Sequence, residues 1–268
     1  MRSDIIFERL WNDYTALNPD VSAIYDAFVA AGETVINDHI AFRTLNHPRI
    51  CIEKLSRVFL DAGYVEKGNY HFEAKKLVAK HYEKQDDPTA PRVFISHLLL
   101  EEFSDELQMN FNQLIDQIPK GFEDEKELIF SKDIFGTASF SIYEKLRKES
   151  EYAAWVYAFG FRANHFTVSV NHLKKFSTLG HVNDFLKSKG FRLNQSGGEI
   201  KGNPEELLEQ SSTLAGLYNL QFTDGKHSIP GCYYEFALRY PDEEGNLYNG
   251  FIAKSADKIF ESTDFYSK

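Results

Sequence analysis

Two histidines, one glutamate and one arginine carry the chemistry this sequence could do. In NDHIAFRT, residues 37–44, strand alternation puts His39, Ala41 and Arg43 on one face and Asp38, Ile40 and Phe42 on the other. In NHFTVSVN, residues 164–171, His165, Thr167 and Ser169 share one face, and Phe166, Val168 and Val170 the opposite one. In CYYEFALRYP, residues 232–241, Tyr233, Glu235, Ala237 and Arg239 lie together. Two imidazoles and a carboxylate turned into one cavity make a facial triad, which holds a metal on one side and leaves positions open for substrate and O2 on the other. Fe(II) suits these donors. Zn and Mn fit them too, so ligand type leaves the metal open. Arg43 stands roughly 7 Å along the strand from His39. A buried guanidinium needs an anion, and its planar fork matches a carboxylate. The pair predicts an acidic substrate with one end on the metal and a carboxylate on Arg43.

Each residue also has a plainer reading. A strand histidine is often just hydrogen-bonded, Glu235 could pair with Arg239, and Arg43 could end a strand in solvent. What favours the triad is an internal repeat. A helical pattern follows each histidine strand and stops at a glycine, Gly63 after 24 residues from His39 and Gly190 after 25 from His165. The first helix carries Ile52, Leu55, Val58, Phe59 and Leu60, the second Val182, Phe185 and Leu186.

The elements that must position these groups follow from that repeat. The fold predicted is α+β, a single domain over 1–268 built from two paired βαβββ modules at about 36–102 and 162–240. A helical extension covers 1–33 and a helical connector 103–160. Strands of the first module are YVEKGNYHF, KKLVAKHYE and PRVFISHLLLE; those of the second are GFRLNQSGGEIKG, LYNLQFT and CYYEFALRYP. Paired about a pseudo-two-fold axis, the modules would bring His39 and His165 together with Glu235 facing the same cavity. Thr167 and Tyr233, which share faces with His165 and Glu235, are candidates to support the ligands. His97, on the strand that ends the first module, is a third such candidate or a substrate contact. His71, His81, His172 and His181 read as surface or structural, as does His227 in the loop TDGKHSIPG.

Composition narrows the partners. Thirty Lys and Arg against forty Asp and Glu give a net charge of −10 and a pI near 5.4, a field that repels phosphate backbones and argues against nucleic acid. No stretch approaches the apolar length of a membrane span, and MRSDIIFERLWNDY lacks the apolar run of a signal peptide. Cys51 and Cys232, with no CxxC, favour a reducing cytoplasm and exclude a cysteine-rich zinc site.

Taken in combination, NDHIAFRT, ANHFTVSVN, YYEFALRYP and the terminal GFIAKSADKIFESTD resemble the 2-oxoadipate dioxygenase/decarboxylase family, long catalogued as a domain of unknown function within the vicinal-oxygen-chelate superfamily. The resemblance spans nearly the whole chain. It implies a half-barrel sheet of paired modules and Fe(II) held by His39, His165 and Glu235, a site that Zn, Mn or Ni could also fill. It further implies a substrate-binding Arg43 and conversion of 2-oxoadipate with O2 to 2-hydroxyglutarate and CO2, a step of lysine catabolism. Only 33 residues follow Glu235, so a C-terminal insertion carried by longer members is not matched. By the same resemblance GFIAKSAD supplies a pocket wall near Ile252 and Ala253. Two other classes remain open: a metal-dependent hydrolase or glyoxalase-like isomerase on the same modules, and a small-molecule-binding protein without catalysis.

Overall fold

The computed structural model of the protein describes residues 1–253, 258 and 259. Two helices open the chain, α1 (Ser3–Leu17) and α2 (Pro19–Ala30), with Pro19 at the first turn of α2 where a missing N–H costs nothing. The first module is β1 (Asn37–Leu45), short helices α3 (Ile52–Leu55) and α4 (Arg57–Leu60), then β2 (Tyr64–Phe72), β3 (Leu77–Lys84) and β4 (Arg92–Leu98). Helices α5 (Asp105–Asp116), α6 (Phe140–Glu149) and α7 (Glu151–Phe159) form the connector. The second module is β5 (Ala163–Ser169), α8 (Leu179–Ser188), β6 (Lys201–Asn203), β7 (Leu208–Ser212), a hairpin of β8 (Leu217–Phe222) and β9 (Gly225–Pro230), and β10 (Tyr233–Arg239).

Eight strands join in one sheet, ordered β2-β3-β4-β1-β5-β10-β7-β6, curled into a half-barrel. β1 runs parallel to β4 and β5 parallel to β10, while β1 and β5 meet antiparallel at the centre. Each histidine strand therefore lies beside the closing strand of its own module, and the two histidine strands are neighbours. The pairing about this centre agrees with the paired α+β modules expected from the repeat, and the curl with the half-barrel that the resemblance implies. Gly63 and Gly190 end their helical segments at φ 89° and 88°, left-handed values that a side chain would strain.

One face of the sheet is the apolar core. Phe42 meets Phe59 of α4, Phe166 meets Trp11 of α1, and Phe236 meets Phe28 of α2. The other face carries the histidines, and α7 lies over part of it: the Tyr152 hydroxyl donates to the Ser96 carbonyl and accepts from the Thr44 N–H. Every residue from Tyr152 to Phe159 is buried, as fits a helix with core on all sides.

Several local expectations change. GFRLNQSGGEIKG is not a strand; only Leu193 bridges to Thr213 before β6 begins, and Gly197 and Gly198 at φ 69° and 100° turn the chain. The strand in that role is LEQSS, which lacks apolar alternation because Gln210 and Ser211 bury polar side chains against Glu235 and Asn183. LYNLQFT is a strand, but it pairs with GKHSIP outside the large sheet. His227 is thus on a strand, not in a loop, and its ring stacks on Phe140 with centroids 3.7 Å apart. Within the connector, α6 gives way to α7 at Ser150, whose hydroxyl caps α7 by accepting from the Ala153 N–H. Among the described residues no helix is long and apolar enough to cross a membrane.

Candidate metal centre

His39 on β1, His165 on β5 and Glu235 on β10 converge with their ligand atoms all within 4.8 Å of one another. Each is on a different strand of one sheet, so the backbone ladder sets their separation. His39 Nε2 lies 3.5 Å from Glu235 Oε1, and His165 Nε2 lies 3.2 Å from Glu235 Oε2. All three are buried.

The outer nitrogens are held by the residue just before each histidine. His39 Nδ1 is 2.8 Å from Asp38 Oδ1, and His165 Nδ1 is 3.1 Å from Asn164 Oδ1. Strict alternation would send Asp38 and Asn164 to the opposite face. Irregularities in the β1–β5 register, one between Asn37 and His39 and one at Ala41–Phe42 that skips Asn164, override it. An ionised carboxylate only accepts, so Nδ1 of His39 carries the proton and its Nε2 lone pair turns to the centre. Thr167 Oγ1, 3.1 Å from that Nε2, can donate to it. Tyr233 stacks on the His165 ring at 4.6 Å.

The electrostatics suit a cation here. Burial lowers the His39 pKa against the pull of Asp38, and burial with the His39 and Arg43 charges holds His165 well below the usual imidazole range. Both imidazoles are neutral donors. Burial pushes the Glu235 carboxyl up to about 8, although Gln210 Nε2 donates to Oε1 at 2.5 Å. Its Oε2 accepts no hydrogen bond among the described residues. Two neutral nitrogens and a carboxylate that ionises reluctantly without a counter-charge fit a divalent metal.

Asp38 is held on the far side by Arg239, whose Nε and Nη2 donate to the two carboxylate oxygens at 2.7 and 2.8 Å. Burial raises the Asp38 pKa, but the Arg239 charge and hydrogen bonds outweigh it and hold the carboxyl well below 3.8. Arg239 thus pairs with Asp38, where its position two pleats from Glu235 had suggested Glu235.

The strand registers reveal a fourth position. In the second module the residue opposite Thr167, two beyond the histidine, is Glu235; in the first the residue opposite Ala41, two beyond its histidine, is Phe94. The pseudo-symmetry therefore offers two pairs of inward positions, and an aromatic ring fills one of them. Phe94 and Phe251 wall a cavity of about 20 Å³ against the triad, with Gln210, Tyr233 and Ile259.

Arg43 is buried, its guanidinium 5.0 Å from the Tyr152 ring and 5.2 Å from the Trp155 ring. It does not line this cavity, which Tyr233 does; the two are close enough for Arg43 to oppose the rise that burial and Glu235 impose on the Tyr233 phenol. The C-terminal wall comes from Phe251 and Ile259, with Ile252 and Ala253 half-buried beside them. Of the terminal GFIAKSADKIFESTD, KSAD (254–257) and FESTD (260–264) lie outside the described residues.

His97 is not at the centre. It pairs with Thr44 on the face opposite the histidines, where Glu53 and Glu101 are the acidic charges acting on it, because β4 turns Phe94 and Ser96 inward and His97 outward. His81, read as surface or structural, is buried on the inward face, 2.9 Å from the Tyr70 hydroxyl and 3.0 Å from Glu83. Asp38, Asn164, Gln210, Phe94 and Phe251 were not singled out from the sequence. The one signal available was an Asp or Asn before both repeated histidines.

Residues 8–242 match the family model for 2-oxoadipate dioxygenase/decarboxylase. A relative from Arabidopsis thaliana, described as 2-oxoadipate dioxygenase/decarboxylase, chloroplastic, is 36% identical over 254 residues, covering 84% of this chain and 67% of the relative. A solved structure from Oryza sativa, described as hydroxyglutarate synthase in complex with 2-oxoadipate, is 32% identical with a TM-score of 0.90, over 97% of this chain and 91% of that one. A structure from Shewanella frigidimarina NCIMB 400, described as a hydrolase, is 48% identical with a TM-score of 0.87, over 93% and 97%.

Proposed function

The chain belongs to the 2-oxoadipate dioxygenase/decarboxylase family, and on that premise we propose that it converts 2-oxoadipate and O2 to 2-hydroxyglutarate and CO2 with Fe(II) on His39, His165 and Glu235. Carbon, hydrogen and oxygen balance across that reaction without a further reductant. The observation that carries the reading is the buried two-histidine, one-carboxylate set beside a face occupied by Phe94, not by a fourth ligand. Three protein ligands leave coordination positions open, as non-heme Fe(II) oxygenases require. When bound, the iron supplies the redox chemistry that lets O2 react with a 2-oxo acid.

The protein's own groups do the positioning. Asp38 and Asn164 fix both imidazoles so that neither can rotate its Nε2 away. Phe94 and Phe251 present apolar rings to the centre. Arg43 would hold the distal carboxylate of the diacid, reached past Tyr233, and so set which carbon faces the metal. Cys51 and Cys232 are both free thiols, which suits a reducing compartment such as the cytoplasm.

Oxygen uptake by the Fe(II)-loaded protein, measured with a panel of 2-oxo acids of different chain length, tests this. The expected result is one O2 consumed and one CO2 released per 2-oxoadipate. Turnover of substrate under strict anaerobiosis would overturn it and favour the hydrolase description of the Shewanella relative, since a metal-bound water needs no O2.

A further inference from the structure

We propose that Arg239 is a positioning residue that ties the segment closing the cavity, residues 248–251, to the metal ligand His39. The cavity of about 20 Å³ holds about one water, so a six-carbon diacid requires the wall to yield. Phe251 is the part of that wall that packs on His39, its ring meeting the imidazole edge-on at 4.8 Å.

The segment is pinned from three strands. Arg92 donates to the Asn249 side chain, and the Phe251 N–H donates to the Tyr70 hydroxyl at 3.1 Å. Arg239 Nη1 donates to the carbonyls of Tyr248 and Gly250, each at 2.9 Å. Of these three, only Arg239 also hydrogen-bonds to the support of a metal ligand: its Nε and Nη2 grip Asp38, and Asp38 holds His39 Nδ1. Arg92 approaches Asp38 no closer than 3.6 Å.

A guanidinium is a rigid planar fork, so its two edges cannot move independently. If the segment lifts, Nη1 loses both carbonyls while buried, and the low-energy response is for the whole fork to shift. Asp38 and the His39 ring follow it. Conversely, a metal that immobilises His39 immobilises Asp38 and Arg239, and with them the segment. Closure and ligand alignment are thus one event.

The inference rests on the metal reading of the triad and not on the substrate, and Co(II) serves as the probe. Cleavage by chymotrypsin after Tyr248 and Phe251 is followed by mass spectrometry in metal-free and Co(II)-loaded protein, with Co(II) binding read from visible absorption. Wild type should be cleaved at least ten-fold more slowly with Co(II). In Arg239→Lys, which keeps the charge but cannot bridge both sides, the protection should fall below two-fold and Co(II) affinity about ten-fold. If that variant does not fold, Asp38→Asn serves: Asp38 hydrogen-bonds to no residue of the segment, yet metal-free cleavage after Tyr248 and Phe251 should accelerate more than cleavage at chymotrypsin sites elsewhere in the chain, and equal acceleration at all sites refutes the coupling. Bound Co(II) without protection in wild type, or full protection in Arg239→Lys, refutes the coupling. Wild type that binds no Co(II) refutes the metal reading itself.

Discussion

Asp38→Asn separates the two things that Asp38 does. Toward His39 it accepts from Nδ1 at 2.8 Å, and the second module shows what an amide does in the same place: Asn164 meets His165 Nδ1 at 3.1 Å. The variant should therefore keep a metal site and weaken it. A charge-assisted bond is roughly twice as strong as a neutral one, a loss of about 1.5 kcal/mol or about ten-fold in metal affinity. Toward Arg239 the change is harsher, because a buried guanidinium loses its paired charge. Breaking a buried ion pair costs about 3–5 kcal/mol, and the amide oxygen keeps one acceptor, so about 3 kcal/mol is expected, roughly 6–12 °C in Tm. The assay is thermal unfolding of metal-free protein with isothermal titration of the metal. Asp38 has a depressed pKa, so its contribution is fully present above its ordinary 3.8 and lost as pH falls below it. The gap between wild type and variant should shrink in acid as Asp38 is protonated. A Tm within 2 °C of wild type at neutral pH, or a gap that does not shrink in acid, refutes the reasoning.

Glu235→Gln should weaken metal binding by more than the roughly 10–100-fold seen when a group supporting a ligand is lost. Because the Glu235 carboxyl is raised from 4.5 to about 8, ionising it destabilises the metal-free fold progressively across that window; the variant should match wild type near pH 4 and exceed its Tm at pH 8. Arg43→Lys replaces a bidentate fork with a point charge. KM for 2-oxoadipate should rise about ten-fold, or about 1.4 kcal/mol, while a 2-oxo acid without the distal carboxylate is unaffected; steady-state oxygen uptake reads both.

Much of the sheet was legible because its strands alternate. Ile40 and Phe42, Phe166 and Val168 pack on helices, and the intervening positions face the cavity, as period two requires. Where side chains buried for polar reasons break that period, the reading failed: LEQSS buries Gln210 on the cavity face against Glu235 and Ser211 on the core face against Asn183, so no hydrophobic signal marks it. His97 illustrates the complementary error. Its place on the closing strand matched that of Glu235 by segment, but parity within the strand puts it opposite Thr44 on the other face.

The sequence by itself determined which residue types recur at equivalent places: a histidine on each opening strand, a glycine-ended helix 24 or 25 residues later, a carboxylate on the final strand. Those are properties of local spacing, and local spacing is what a sequence records. Only the tertiary structure decided what surrounds them. The two register irregularities that swing Asp38 and Asn164 behind the imidazoles, the reach of Arg239 across the sheet to Asp38, and Phe251 closing over His39 all join residues far apart in the chain. A bulge costs one unpaired residue and is stabilised by what its side chain then contacts, so its position depends on partners that come together only when the two modules meet.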